Sequence, residues 1–422
     1  MNWTATRRTA LRVILLLLAL LIAWRILSNG LGEHFTRQAL LGDEQAVGKA
    51  LLWNPEQPTA LYLRAESLMQ SEPAQAEALL RKSIRLNPGN AVPMEMLARL
   101  LFDRHQIEAA DEMIDLAVRR MPARKDIQLS AARYWVKRGQ LSRAMENWAA
   151  VLRLDPGMGE KIYPTLTQIA ENSQSVGLFK SLAESPPNWW DDFFIYLSEH
   201  AKKLETVVTV ASIRHASKIP LSRVERDELV KRLQEDHQWP EAYLVWVNGL
   251  DSEERRYLGS VFDGGFELAP ANTGFGWYFP ENKAWLIRRK NTYGAEGEKA
   301  LHIFYKGENT PVNQVYQPLL LSPGHYVMNM RTRVDRLRVQ GGIRWMLRCL
   351  GDESRVLGMG PLLVGASDWE THQFSFEVPN DKACTGQLLR LEIVGEDTDD
   401  RIVEGEVWFD RLSIRKIEHE QH

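Results

Sequence analysis

The chain has 422 residues, room for two or three domains that each bury a core, and its 44% hydrophobic and 25% charged content is that of globular protein rather than wholesale disorder. A formal net charge of −3, with no long basic run beyond the first residues, gives no footprint for nucleic acid. Cys349 and Cys384 are too few for a zinc site and lack ligand spacing.

The N-terminus comes first. Residues 1–28 carry Arg7, Arg8, Arg12 and Arg25 and no acidic residue, and Val13 to Trp24 is apolar on every helical face. A helix from Ala10 to Leu27 would be about 27 Å long, close to the hydrocarbon thickness with Arg12 and Arg25 snorkelling to the interfaces. A cleaved signal peptide shares this start but wants small residues before the cut, and the exit Trp24-Arg25-Ile26-Leu27-Ser28-Asn29-Gly30 is a poor cleavage site. Residues 1–30 are therefore predicted to be a cytoplasmic start and an uncleaved transmembrane anchor. Three Arg before the apolar run against one after it predict a bacterial inner-membrane protein, single-pass, N-terminus cytoplasmic and bulk periplasmic.

Next comes a repeat. Asn54-Pro55, Asn87-Pro88, Met121-Pro122 and Asp155-Pro156 lie 33, 34 and 34 residues apart. Proline at such a period closes the second of two antiparallel helices, because it lacks an N–H and disfavours a helical predecessor. Small residues fall where paired helices would touch (Ala98 with Ala110, Ala132 with Ala144). Large ones fall in the layer between repeats (Leu101 with Ile114, Trp135 with Trp148). Over about 57–156 this resembles the tetratricopeptide family, with Ala replacing the usual helix-A Gly, and 31–156 is assigned to such repeats. From 157 to 258 the pattern stays helical but the period blurs. Asn188–Leu197, Leu204–Ala216, a capping box at Ser222-x-x-Glu225 and Trp239–Trp246 mark helices, read as degenerate repeats or as a separate helical domain.

Near Val261 short alternating runs take over. Trp285–Arg289, Ala300–Tyr305, Tyr316–Leu321, Tyr326–Val334, Ile343–Cys349, His372–Val378, Leu388–Val394 and Glu406–Ile414 read as strands, with Gly358-Met-Gly-Pro361 as a turn. Residues 259–422 are thus predicted to be an antiparallel β-sandwich of jelly-roll type. The opening Asp263-Gly-Gly-Phe-Glu267 and Phe275-Gly-Trp277, with the closing Val407-Trp-Phe-Asp410-Arg-Leu-Ser-Ile414, make 262–417 similar to galactose-binding-like, family 4/9-type carbohydrate-binding modules. That resemblance implies a sugar ligand and a structural calcium at Glu267 and Asp410, two carboxylates where calcium takes six to eight oxygens. The fold class is then a transmembrane helix, a tetratricopeptide-type α-solenoid and an antiparallel sandwich.

Candidate site residues follow. Arg99 and Arg133, 34 residues apart, share a helix-A position with Lys137 one turn on, a basic ladder for a partner's carboxylates or a solvated surface paired with Glu95 or Asp103. Tyr305, Trp345, Tyr316 and Gln314 are the glycan-stacking and hydroxyl-binding candidates, with His302 and Arg344 near them, although strand alternation also makes such rings core. In an exported domain Cys349 and Cys384 are expected to form a disulfide; otherwise they are two buried small residues. No nucleophile elbow, Walker loop, HExxH or Rossmann fingerprint appears, and no cofactor is required. The sequence therefore predicts a non-enzymatic envelope scaffold. Its repeats bind a protein partner, expected in the exopolysaccharide or envelope machinery, and its sandwich binds polysaccharide. The alternative is an adaptor of another envelope complex that binds no glycan.

Overall fold

The computed structural model describes residues 3–217, 219–395 and 399–417. The side chains of residues 1–9, Arg7 and Arg8 among them, and of Asp399 lie outside the described residues. The chain forms two compact units, residues 1–166 with 186–189, and residues 167–185 with 190–422.

In the first unit, α1 (Trp3–Leu40) is one continuous helix, its apolar half exposed on all faces. Beyond Leu27 a narrow stripe, Ser28, Gly32 and Thr36, is buried against α2 (Glu44–Trp53). A Cβ on Gly32 would lie 2.8 Å from that of Asn54, so only glycine lets the helices close. Three further antiparallel pairs follow: α3 (Pro58–Leu68) with α4 (Pro73–Leu86), α5 (Val92–Asp103) with α6 (Ile107–Arg120), and α7 (Lys125–Lys137) with α8 (Leu141–Leu154). The residue before each Pro leaves the helical region as sterics require: Asn54, Asn87, Met121 and Asp155 have φ between −150° and −133°. Ala98, Ala110, Ala132 and Ala144 are fully buried, and Leu101, Ile114, Trp135 and Trp148 are buried beside them. Then comes α9 (Gly159–Glu171).

The second unit holds both helices and sheets. Its helices are α10 (Lys180–Glu184), α11 (Trp190–His200), α12 (Leu204–His215), α13 (Arg223–Glu235) and α14 (Trp239–Asn248). The capping box forms at Ser222 and Glu225, and Glu225 is fully buried, accepting from Trp190 Nε1 at 2.6 Å and pairing with Arg214 at 3.0 Å. The α13–α14 turn repeats a device of the first unit. His237, like His105 and Gly139, has φ near +60°, and the next amide donates back to Leu233, as those of Gln106 and Gln140 do to Leu101 and Trp135.

Among the described residues nine strands make two antiparallel sheets. They are β1 (Trp285–Lys290), β2 (Ala300–Asn309), β3 (Asn313–Leu319), β4 (Gly324–Arg338), β5 (Ile343–Cys349), β6 (Val356–Met359), β7 (Gly365–Val378), β8 (Gln387–Ile393) and β9 (Ile402–Lys416). One sheet has the order β1-β2-β9-β4-β7 and the other β3-β8-β5-β6. Their inner faces share one apolar core containing Ile303, Met328, Trp345, Leu389, Leu391 and Phe409. The turn expected at Gly358 is instead part of edge strand β6. A Cβ at Gly358 would meet Phe376 Cβ at 2.7 Å, so glycine there serves packing rather than chain reversal. Cys349 and Cys384 are disulfide-bonded, with Cα atoms 4.7 Å apart.

Candidate binding surfaces

The first surface lies between α5 and α7. The 34-residue spacing puts Arg99 and Arg133 on equivalent turns, and with Lys137, Glu95, Phe102 and Asp103 they line a cavity of about 200 Å³. Arg99 Nη2 reaches only Met69 Sδ at 3.5 Å and Arg133 Nε the Leu129 carbonyl at 3.3 Å. Among the described residues neither arginine nor Lys137 has a carboxylate within 4.0 Å. Burial pushes the Glu95 carboxyl up, against the opposing pull of Arg99 and Arg133. The neighbouring charges are spoken for: Arg138 and Tyr134 both hold Asp111, and Arg143 holds Asp115. The groove therefore presents three cations that close no ion pair among the described residues.

The second surface is the outer face of the four-stranded sheet. Register aligns Tyr316 with Arg390, Met346 and Met359 across β3, β8, β5 and β6, and Arg344 with Glu392. Residues in register point the same way, so these side chains share one face while Leu389, Leu391 and Trp345 turn into the core. Tyr316 stacks on Tyr278 with centroids 4.6 Å apart and planes at 8°. Burial raises both phenols, so each remains a neutral hydroxyl at neutral pH. Beside them Arg348 grips Glu392 with two bonds of 2.8 and 2.9 Å, and Arg390 reaches Glu392 and Glu353. Burial alone would raise Glu392, but Arg348 and Arg390 outweigh it and hold it low. Arg344 is half-buried, and its Nε has no hydrogen-bond partner.

Three expectations about this domain need correction. Tyr305 and Trp345 are 0% exposed and belong to the core; neither can stack on a ligand. Gln314 is buried too, accepting from the Tyr305 hydroxyl across the core. The candidates are also divided between sheets: β2, with Tyr305, pairs with β1 and β9, while β3, with Gln314 and Tyr316, and β5, with Trp345, both pair with β8. Of the glycan candidates only Tyr316 reaches the surface, where Tyr278, Arg348, Arg390 and Glu392 had not been singled out. Their signal was Arg and Glu alternating inside otherwise apolar strands. His302 lies on the other sheet, stacked on Trp408 at 3.9 Å and bonded to Glu406 at 2.8 Å.

Glu267 and Asp410 do come together, flanking Gly265. Asp410 accepts the amides of Glu296 and Arg411, each at 2.8 Å, and Glu267 those of Glu298 and Lys299 at 2.9 and 3.3 Å. Arg331 and Arg411 pair with Glu296 alongside. Each carboxylate thus already accepts two backbone amides, and two carboxylates fall short of the six to eight oxygens calcium takes. Among the described residues no group of three or more His, Cys, Asp or Glu is placed to hold a metal. Asp410 ties the β1–β2 loop to β9, and Glu267 ties the same loop to the segment that precedes β1.

Residues 67–134 match the tetratricopeptide repeat family. No curated protein matches the chain. Among solved structures, the chain is similar to pilF of Pseudomonas aeruginosa at 14% identity, covering 55% of this chain and 93% of that one with a TM-score of 0.29. It is also similar to the CBM22-1 xylan-binding domain of Xyn10C from Paenibacillus barcinonensis at 12% identity, covering 37% of this chain and 92% of that one with a TM-score of 0.25.

Proposed function

We propose that this protein is a non-catalytic, membrane-anchored scaffold of a bacterial envelope. In this reading α1 tethers it to the inner membrane with the bulk in the periplasm, and the groove between α5 and α7 takes an acidic segment of a protein partner. The sandwich binds polysaccharide on the Tyr278–Tyr316 face, in the synthesis or export of an envelope glycan. One observation carries the proposal. Arg99, Arg133 and Lys137 line the groove without closing ion pairs, and half-buried Arg344, whose Nε has no hydrogen-bond partner, lies on the sheet face that carries the stacked tyrosine pair. Guanidinium groups bind carboxylates in forked geometry, and ring faces accept the C–H side of a sugar while nearby polar groups satisfy its hydroxyls.

The test is titration of the full chain in detergent with a panel of bacterial exopolysaccharide fragments, repeated with Tyr316→Ala and Arg344→Ala. Binding by wild type that falls at least tenfold in both folded variants is the expected result. Unchanged affinity in both places the sugar elsewhere, and no binding across the panel leaves the adaptor reading. In parallel, Arg99→Glu with Arg133→Glu should abolish co-purification of the partner while leaving the helical circular dichroism unaltered.

A further inference from the structure

The inference rests on reading α1 as a membrane anchor. α2 returns antiparallel to α1, and so travels back toward the apolar segment. Asn54 Nδ2 donates to Asn29 Oδ1 at 3.1 Å, and the ring of Trp53 lies 6.0 Å from that of Trp24. The end of α2 therefore stands level with the last turn of the apolar segment. There Leu52 is 80% and Trp24 59% exposed. In an anchored chain this is headgroup depth, where tryptophan concentrates.

The same edge continues along the array. The turns between repeats are neighbours on it: Lys82 Nζ donates to the Pro55 carbonyl at 3.2 Å, and Lys125 pairs with Asp155 at 2.6 Å. After α2, the helices α4, α6 and α8 each end on this edge with a cation followed by an apolar residue. Arg85 precedes Leu86, Arg120 precedes Met121, and Arg153 precedes Leu154. Leu86 is 41% and Leu154 44% exposed. Arg85, Arg119, Arg120 and Arg153 are exposed, and among the described residues none has a carboxylate within 4.0 Å. On the opposite edge Arg104 and Arg138 are tied to Glu77 and Asp111. Unpaired cations alternating with exposed leucines suit a surface that is both anionic and apolar just beneath.

We infer that this edge lies on the bilayer, with Leu52, Trp53 and Trp24 in the interfacial layer and the terminal arginines of α4, α6 and α8 over anionic phospholipid headgroups. The helices then stand close to the membrane normal, and the array runs along the surface. Continuity of α1 into the first pair fixes the depth of α2, and the charge favours anionic lipid over a neutral one.

The experiment uses the full chain in lipid nanodiscs of phosphatidylcholine mixed with phosphatidylglycerol. Leu86→Cys or Gln106→Cys supplies a single thiol on either edge, because the native cysteines are bonded to each other. Each carries an environment-sensitive dye. A blue shift at position 86, with quenching by headgroup nitroxide lipids, and a water-like spectrum at position 106 are the expected results. Replacing Arg85, Arg119, Arg120 and Arg153 together by Glu should return position 86 to water while the chain stays in the disc. Water-like spectra at both positions in an anchored wild-type chain overturn the inference alone. A chain that fails to enter the discs removes the anchor reading as well.

Discussion

Asp263 is a carboxylate that folding buries at a cost. It is 3% exposed, and its two oxygens accept the amides of Glu267 and Leu268, each at 2.9 Å. Burial outweighs those bonds and pushes its pKa up to about 6. The folded chain therefore binds this proton more readily than the unfolded one. The resulting stability is present at low pH and is lost as pH rises through about 6. Acidification from about pH 7 to pH 5 should yield about 1 kcal/mol from this group, and Asp263→Asn should flatten that part of the Tm profile. Parallel profiles for the two proteins would show that Asp263 stays ionised in the fold. A buried carboxylate at the start of Asp263-Gly-Gly-Phe-Glu267 was visible only as a motif, because its burial is set by Trp277, whose Nε1 donates to the Asp263 carbonyl at 2.9 Å. The inward place of Trp345 is legible in the sequence. Arg344 and Arg348 must face outward in a strand of period two, which leaves Trp345 facing in.

At the scale of elements, α14 is built into the sandwich. Trp246 packs on Phe262 and Phe275 with centroids 5.0 and 5.7 Å away, and Gln234 of α13 donates to the Gly274 carbonyl at 3.1 Å. Trp239 lies against Gly386, where a Cβ would come within 2.8 Å of the indole. A fragment of residues 256–422 therefore exposes aromatic surface that residues 167–422 keep covered. The shorter fragment should unfold at lower urea and bind more of a hydrophobic dye, and Trp246→Ala in the longer one should cost about 3–5 kcal/mol. Equal urea midpoints for the two fragments would make α13 and α14 dispensable to the sandwich. The change of periodicity near Val261 was plain in the sequence, as were the proline period and most strands. That the last helical hairpin shares its tryptophans with the sheets was not, because nothing local distinguishes an indole packed within a repeat from one packed on a neighbouring loop.

For the whole molecule the decisive question is which side of the membrane carries the repeats and the sandwich. Two independent features bear on it. The most apolar window of α1 lies within Ala10–Leu40 and has no buried residue, and Arg7, Arg8 and Arg12 precede the run Val13–Trp24 against Arg25 at its exit. That asymmetry favours a cytoplasmic start. The bond between Cys349, at the end of β5, and Cys384, in the connection from β7 to β8, joins residues 35 apart, and such bonds persist in oxidising compartments. We therefore expect alkaline phosphatase fused after Ala60 to be active in cells. Thiol labelling of the denatured, unreduced chain should find no free cysteine, and the purified protein should retain its N-terminal residues. The readouts separate the alternatives. Two reactive thiols with an inactive fusion would place the bulk in the cytoplasm and refute the topology. A mature chain beginning near Gly30 with an active fusion would keep the export and refute the tether, and the edge bearing Leu52 and Arg85 would then face water in the cell.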